Sequence, residues 1–188
     1  MVVSLTTLHA AGAMADDPIA DTYLNRAYWE RMQWEKASAS KLWTMDGWST
    51  FEGKQDTTNT FVKTRKVNML ANQFSANLAF QNGLSELKHF TSISAHSTKK
   101  QCDDYLKAFT QKFGDPLTND ASIMVMKFSE TNYLRMLVTN YQWDIGRTRI
   151  NAGCFGSITQ DNEDIEKADY TWSMRFSHKS LAEKLTPK

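Results

Sequence analysis

The sequence predicts an α+β domain: a twisted antiparallel sheet covered on one face by helices, in the order α, several β, α, several β. Three observations carry this. Apolar residues recur at helical spacing in two separate segments, 19–32 and 102–113. The stretches that follow each of them alternate with a period of two. The links between those stretches are short and rich in turn residues, above all Asn82-Gly83. Links of hairpin length pair strands antiparallel, because parallel pairs need long crossovers.

The first helix starts at Asp17-Pro18. Asp17 suits the N-cap, and Pro18 suits the first helical position, where a missing N–H costs nothing. Ile19, Tyr23, Leu24, Ala27, Tyr28 and Met32 carry the spacing onward to about Ser40. Trp29 and Trp34 widen the apolar face beyond one stripe. Residues 43–51, WTMDGWSTF, are aromatic and broken by Asp46-Gly47, which reads as a strand or a bent pair of strands. The polar residues 52–60 read as a loop.

Strands are expected over Phe61–Leu70 and Ala76–Gln81, then Leu84–Ser94 beyond the Asn82-Gly83 turn. The return strand puts Leu87, His89, Thr91 and Ile93 on one face.

Thr98 and Gln101 form a capping box for the second helix. Its stripe is Cys102, Tyr105, Leu106, Phe109 and Phe113; Gly114 suits the C-cap, and Pro116 blocks continuation.

Four segments complete the chain. Ser122–Phe128 and Tyr133–Trp143 read as strands around a turn at Glu130-Thr131-Asn132, the second apolar on both faces. After a turn at Asp144-Ile145-Gly146, the strand Arg147–Phe155 sends Thr148, Ile150, Ala152 and Cys154 one way and Arg147, Arg149 and Asn151 the other. The acidic stretch 161–169 reads as a loop. Tyr170–His178 is a strand with Tyr170, Trp172, Met174 and Phe176 on one face, and Ser180–Leu185 a short helix.

A chain of 188 residues suits one domain, placed at 16–188. Residues 1–15 read either as a signal-peptide remnant or as a disordered extension. Ala13-Met14-Ala15 fits the small-residue cleavage rule; the missing basic end and the polar Thr6, Thr7 and His9 speak against it. The net charge of +1 supplies no field for nucleic acid, and no apolar run is long enough to span a bilayer.

Helical spacing aims Cys102, and strand parity aims Cys154, at one helix–sheet interface. Two readings stay open there: a disulfide, which requires an oxidising compartment, or two buried thiols.

No catalytic constellation, cofactor fingerprint or metal-ligand spacing emerges. Gly47-Trp48-Ser49-Thr50-Phe51 lacks the second glycine and the following helix of a nucleophile elbow. His89, His96 and Asp103 match no ligand motif, and the 161–169 loop lacks calcium-loop spacing.

What stands out is aromatic. Trp29, Trp34, Trp43 and Trp48 crowd into twenty residues, suited either to core filling or to a binding surface. Arg147 and Arg149, with Arg135 on the neighbouring strand, read either as the solvated face of an antiparallel sheet or as a small cationic patch for a carboxylate or phosphate. The expectation is an exported, non-enzymatic binding protein of the bacterial envelope (inhibitor, immunity or accessory type), periplasmic or secreted, whose partner is a protein or envelope component. The alternative is a small-ligand-binding or enzymatic domain with a cavity between helix and sheet; a cytoplasmic location goes with free thiols.

Overall fold

A computed structural model describes residues 17–50, 60–81, 90–127, 133–158 and 167–180. The described residues open with three short helices, α1 (Pro18–Tyr23), α2 (Arg26–Glu30) and α3 (Lys41–Thr44), with a 3-10 segment, Trp34–Ala39, between the last two. Strands β1 (Ser49–Thr50), β2 (Thr60–Met69), β3 (Asn72–Gln81) and β4 (Phe90–Ser97) follow. Next come α4 (Lys99–Phe113) and strands β5 (Thr118–Lys127), β6 (Tyr133–Ile145), β7 (Thr148–Ile158) and β8 (Asp169–His178).

Every described strand pairing is antiparallel, and the sheet runs β1-β2-β3-β4-β8-β7-β6-β5. Seven of these strands are long, and β1 is a two-residue edge. Two meanders, β1–β4 and β5–β8, meet where β4 pairs β8 from Phe90↔Ser177 to Ser97↔Tyr170.

The continuous first helix expected to Ser40 is not there. Asp17 does cap α1, accepting from the Ile19 N–H at 3.0 Å, and Pro18 does open it. The helix then ends, because Asn25 caps a new one by accepting from the Tyr28 N–H. Geometry explains the break. Trp29 and Trp34 sit five residues apart, about 140° around a continuous helix. Both are buried, and only a broken path points both inward. Nor do residues 43–50 form the strand or bent pair of strands expected: Trp43 lies in α3, and only Ser49–Thr50 of these described residues pairs as a strand.

Boundaries also move: β6 runs through Asp144-Ile145, expected in a turn, and β7 reaches Ile158. β3 begins at Asn72, so β2 and β3 are joined by a two-residue turn, Leu70-Ala71, with φ of 51° and 57°. These are left-handed values in residues that carry no turn signal, which is why the hairpin escaped the sequence reading. β5 begins at Thr118 rather than Ser122. The Asn82-Gly83 turn, His89, the turn at 130–132, most of the acidic loop and most of the terminal helix lie outside the described residues.

The second helix forms as expected. Thr98 and Gln101 complete the capping box, and Gly114 ends the helix at φ 86°. Cys102, Tyr105, Phe109 and Phe113 are all buried. The helix packs diagonally across the sheet: Tyr105 meets Phe74 of β3, Phe109 stacks on Trp172 of β8 at 5.9 Å, and Phe113 meets Trp143 of β6. Cys102 and Cys154 of β7 stand at disulfide-bonding distance, with Cα atoms 6.0 Å apart. Closing 52 residues of chain adds roughly 4 kcal/mol in the loop-entropy model.

The N-terminal segment packs by its rings on the same row of sheet residues. Trp29 stacks on Phe176 with centroids 4.3 Å apart, and Tyr23 lies 5.5 Å from the same ring. Tyr23 donates its hydroxyl to Thr91, which donates onward to the Asn77 carbonyl. The Arg26 guanidinium donates to the Phe113 carbonyl and ties α2 to the end of α4.

Candidate functional site

Of the two readings of the four tryptophans, core filling is the one that three of them follow, and their buried positions offer no binding surface. Trp29, Trp34 and Trp43 are buried. Trp34 donates its Nε1–H to the Thr148 hydroxyl at 2.9 Å, and Thr148 donates to the Trp29 carbonyl at 2.8 Å. Trp48 is half-buried against the core and donates to the Leu42 carbonyl. The excess of aromatics is absorbed by the broken helical path, which turns residues from several angular positions towards the sheet.

The arginine patch is likewise not assembled. Arg147 sits in the β6–β7 turn and pairs with Glu35. Arg149 binds Asp144 through two nitrogens at 2.9 and 3.2 Å. These bonds, with the charges of Arg149 and Lys179 behind them, outweigh desolvation and hold the Asp144 carboxyl below its ordinary value of 3.8. Arg135 pairs in register with Ile158, nine residues along β7 from Arg149, or about 30 Å at strand rise. It also points to the opposite face by strand parity. His96 is exposed, and Ser49 lies in a strand opposite Thr64 rather than at a strand–helix elbow. Among the described residues no group of three metal-ligating side chains stands together, and no helix is long and apolar enough to cross a membrane.

Two other features can hold something. The first is the sheet edge. β5 ends the strand order, so no described strand lies on its outer side. It is ten residues long with unbroken register to β6 and contains no proline. Ile123, Met124 and Val125 are 60%, 53% and 49% exposed, and Leu117 just before the strand is 64% exposed. Odd and even positions face opposite ways, so the apolar stretch 123–125 shows on both faces, within a strand that also carries Asp120 and Lys127. Natural edges are usually short, charged or kinked, because a free row of backbone N–H and C=O groups pairs with other chains. The signal was present in the sequence as apolar residues at both parities of 123–126, a pattern that reads equally as a strand buried on both sides.

The second is a groove of about 730 Å³ among the N-terminal helical pieces. Its walls include Asp21, Tyr28, Arg31, Lys36, Ser40 and Lys41. Tyr28 donates to the Ser40 hydroxyl at 3.3 Å, and burial raises its own hydroxyl above the ordinary value of 10.0 against that bond. A groove of this kind needs the helix breaks, and so was not visible while residues 17–40 were read as one helix.

No family model, no curated protein and no solved structure matches this chain.

Proposed function

We infer that this chain is an exported, non-enzymatic binding protein, and that it engages an extended segment of a protein partner along β5. The observation that carries the reading is the long edge strand with exposed apolar residues at Ile123, Met124 and Val125. An added strand satisfies the free backbone groups, and alternate partner side chains cover the apolar residues on each face. We take α1–α3 and α4 together as the cover of one sheet face, which leaves β5 as the open side of the fold. The cysteine pair supports export, because such a bond persists in the periplasm or outside the cell and is reduced in the cytosol.

Selection from a displayed library of random peptides tests the binding claim. Binders are expected to alternate apolar residues and to slow amide exchange in Thr118–Lys127. The double substitution Ile123→Lys/Val125→Lys is expected to abolish binding while changing stability by no more than about 0.5 kcal/mol, as for other exposed sites. Peptides that bind the variant equally well would sink the reading, as would dimers that already bury this edge. Export is tested by intact mass from native cells after alkylation without reductant. Loss of residues 1–15 with unalkylated cysteines is the expected result.

A further inference from the structure

We propose that the groove among the N-terminal helical pieces binds a small polyanion, a molecule carrying two or more phosphate or carboxylate groups. The site is separate from β5 and does not depend on the peptide-binding reading.

The argument starts from the break in the helix. Because the path turns at Asn25 and again before Ser40, α1, α2 and the start of α3 enclose a concavity instead of forming one rod. Its volume of about 730 Å³ falls in the range of small-molecule sites, about 300–1,000 Å³.

Charge comes next. Arg31, Lys36 and Lys41 line the groove, against the single carboxylate of Asp21. Several cations elsewhere on the described elements are engaged: Arg65 with Asp17, Lys100 with Asp104, Arg147 with Glu35, Arg149 and Lys179 with Asp144. Lys63 on β2 and Lys107 and Lys112 on α4 make no ion pair with a described acid, but they line no groove with other cations. No ion pair joins Arg31, Lys36 or Lys41 to an acid among the described residues. All three residues are exposed, and an anion seated among them gains charge-assisted hydrogen bonds.

The neutral lining fits the same ligand. Ser40 accepts from Tyr28, so its own O–H proton is left to donate to an oxyanion. The Tyr28 ring and the buried Met32 give apolar surface for the ligand's carbon frame. The three cations come from α2's end, the 3-10 segment and α3's first turn, so a ligand with several anionic groups reaches more of them than a single ion does.

Titration calorimetry of the full chain with pyrophosphate and with citrate tests this, ionic strength being held constant with sodium chloride. Saturable one-site binding of at least one probe is expected, with amide shifts at Tyr28 and Ser40. Preference for pyrophosphate identifies a phosphate ligand, and preference for citrate a polycarboxylate. Lys36→Gln/Lys41→Gln is expected to weaken binding tenfold or more at an unchanged urea midpoint. The single variant Arg31→Gln gives the same readout should the double variant fold poorly. The proposal is overturned if neither probe binds saturably at millimolar concentration, or if these variants bind as tightly as the parent chain.

Discussion

The ring of Tyr170 lies over the bare Cα of Gly156, its direct partner in the β7–β8 register. The ring fills the space that a side chain at 156 would occupy, and both residues are buried. A methyl group there must displace Tyr170 or shift β7. Gly156→Ala is therefore expected to destabilise the fold by about 1–3 kcal/mol, as overpacking does elsewhere. Urea unfolding measures it, and Tyr170→Leu in the same chain is expected to recover part of the loss. Equal stability of Gly156→Ala and parent would show that the ring is not held there.

Thr148 links two tryptophans through one hydroxyl. It accepts from Trp34 and donates to the Trp29 carbonyl, fully buried. Thr148→Val keeps the shape, orphans the Trp34 Nε1–H and leaves the Trp29 carbonyl only the Met32 N–H at 3.4 Å. An unsatisfied buried donor costs about 1–3 kcal/mol, so a loss of that size is expected. A change below 0.5 kcal/mol in denaturant unfolding would mean that the two tryptophans find other partners.

Asp144 makes stability depend on acid. Its carboxyl lies below 3.8 when folded, chiefly through the hydrogen bonds from Arg149. A depressed folded value means that the unfolded chain binds the proton more readily. The contribution is thus fully present above the unfolded value and fades as pH falls through the folded one. Below about pH 4 the parent chain should lose this share of its stability, whereas Asp144→Asn lacks it at every pH. Denaturant midpoints from pH 7 to pH 2 check it: the two curves should converge in acid, and parallel curves would refute the assignment.

Ala71 occupies the left-handed region at φ 57° in the β2–β3 turn and is exposed. For an L-residue with a Cβ this costs about 1–2 kcal/mol, and glycine escapes it. Ala71→Gly should raise stability by about 0.5–1 kcal/mol once the added freedom of the unfolded chain is subtracted. A fall in the thermal midpoint would show that the turn adopts another conformation.

The contrast between α4 and the N-terminal segment shows what a sequence displays. Thr98, Gln101 and Gly114 act on their immediate neighbours, so spacing alone locates α4. Strand parity in β7 and β8 is likewise local, and it correctly aims Cys154 at Cys102. The first segment obeys a longer-range demand. Trp29 and Trp34 reach Phe176 and Thr148, more than a hundred residues away, and burying both overrides the helical period between them. The groove exists only because of that override. β5 fails for another reason: an apolar run states that something covers a strand, not whether the cover belongs to the same chain.

The sheet order has a consequence for synthesis. β8 comes last of the described strands, yet it stands between β4 and β7. A chain emerging from the ribosome presents β1–β4 and β5–β7 before the strand that seams them. Until Asp169–His178 arrives, β4 and β7 are open edges that face one another without a partner. Cys102 and Cys154 both precede that strand, so their bond can tether α4 to β7 while the gap is still open. The cross-link that steadies the finished molecule is thus also placed to guard its half-built form.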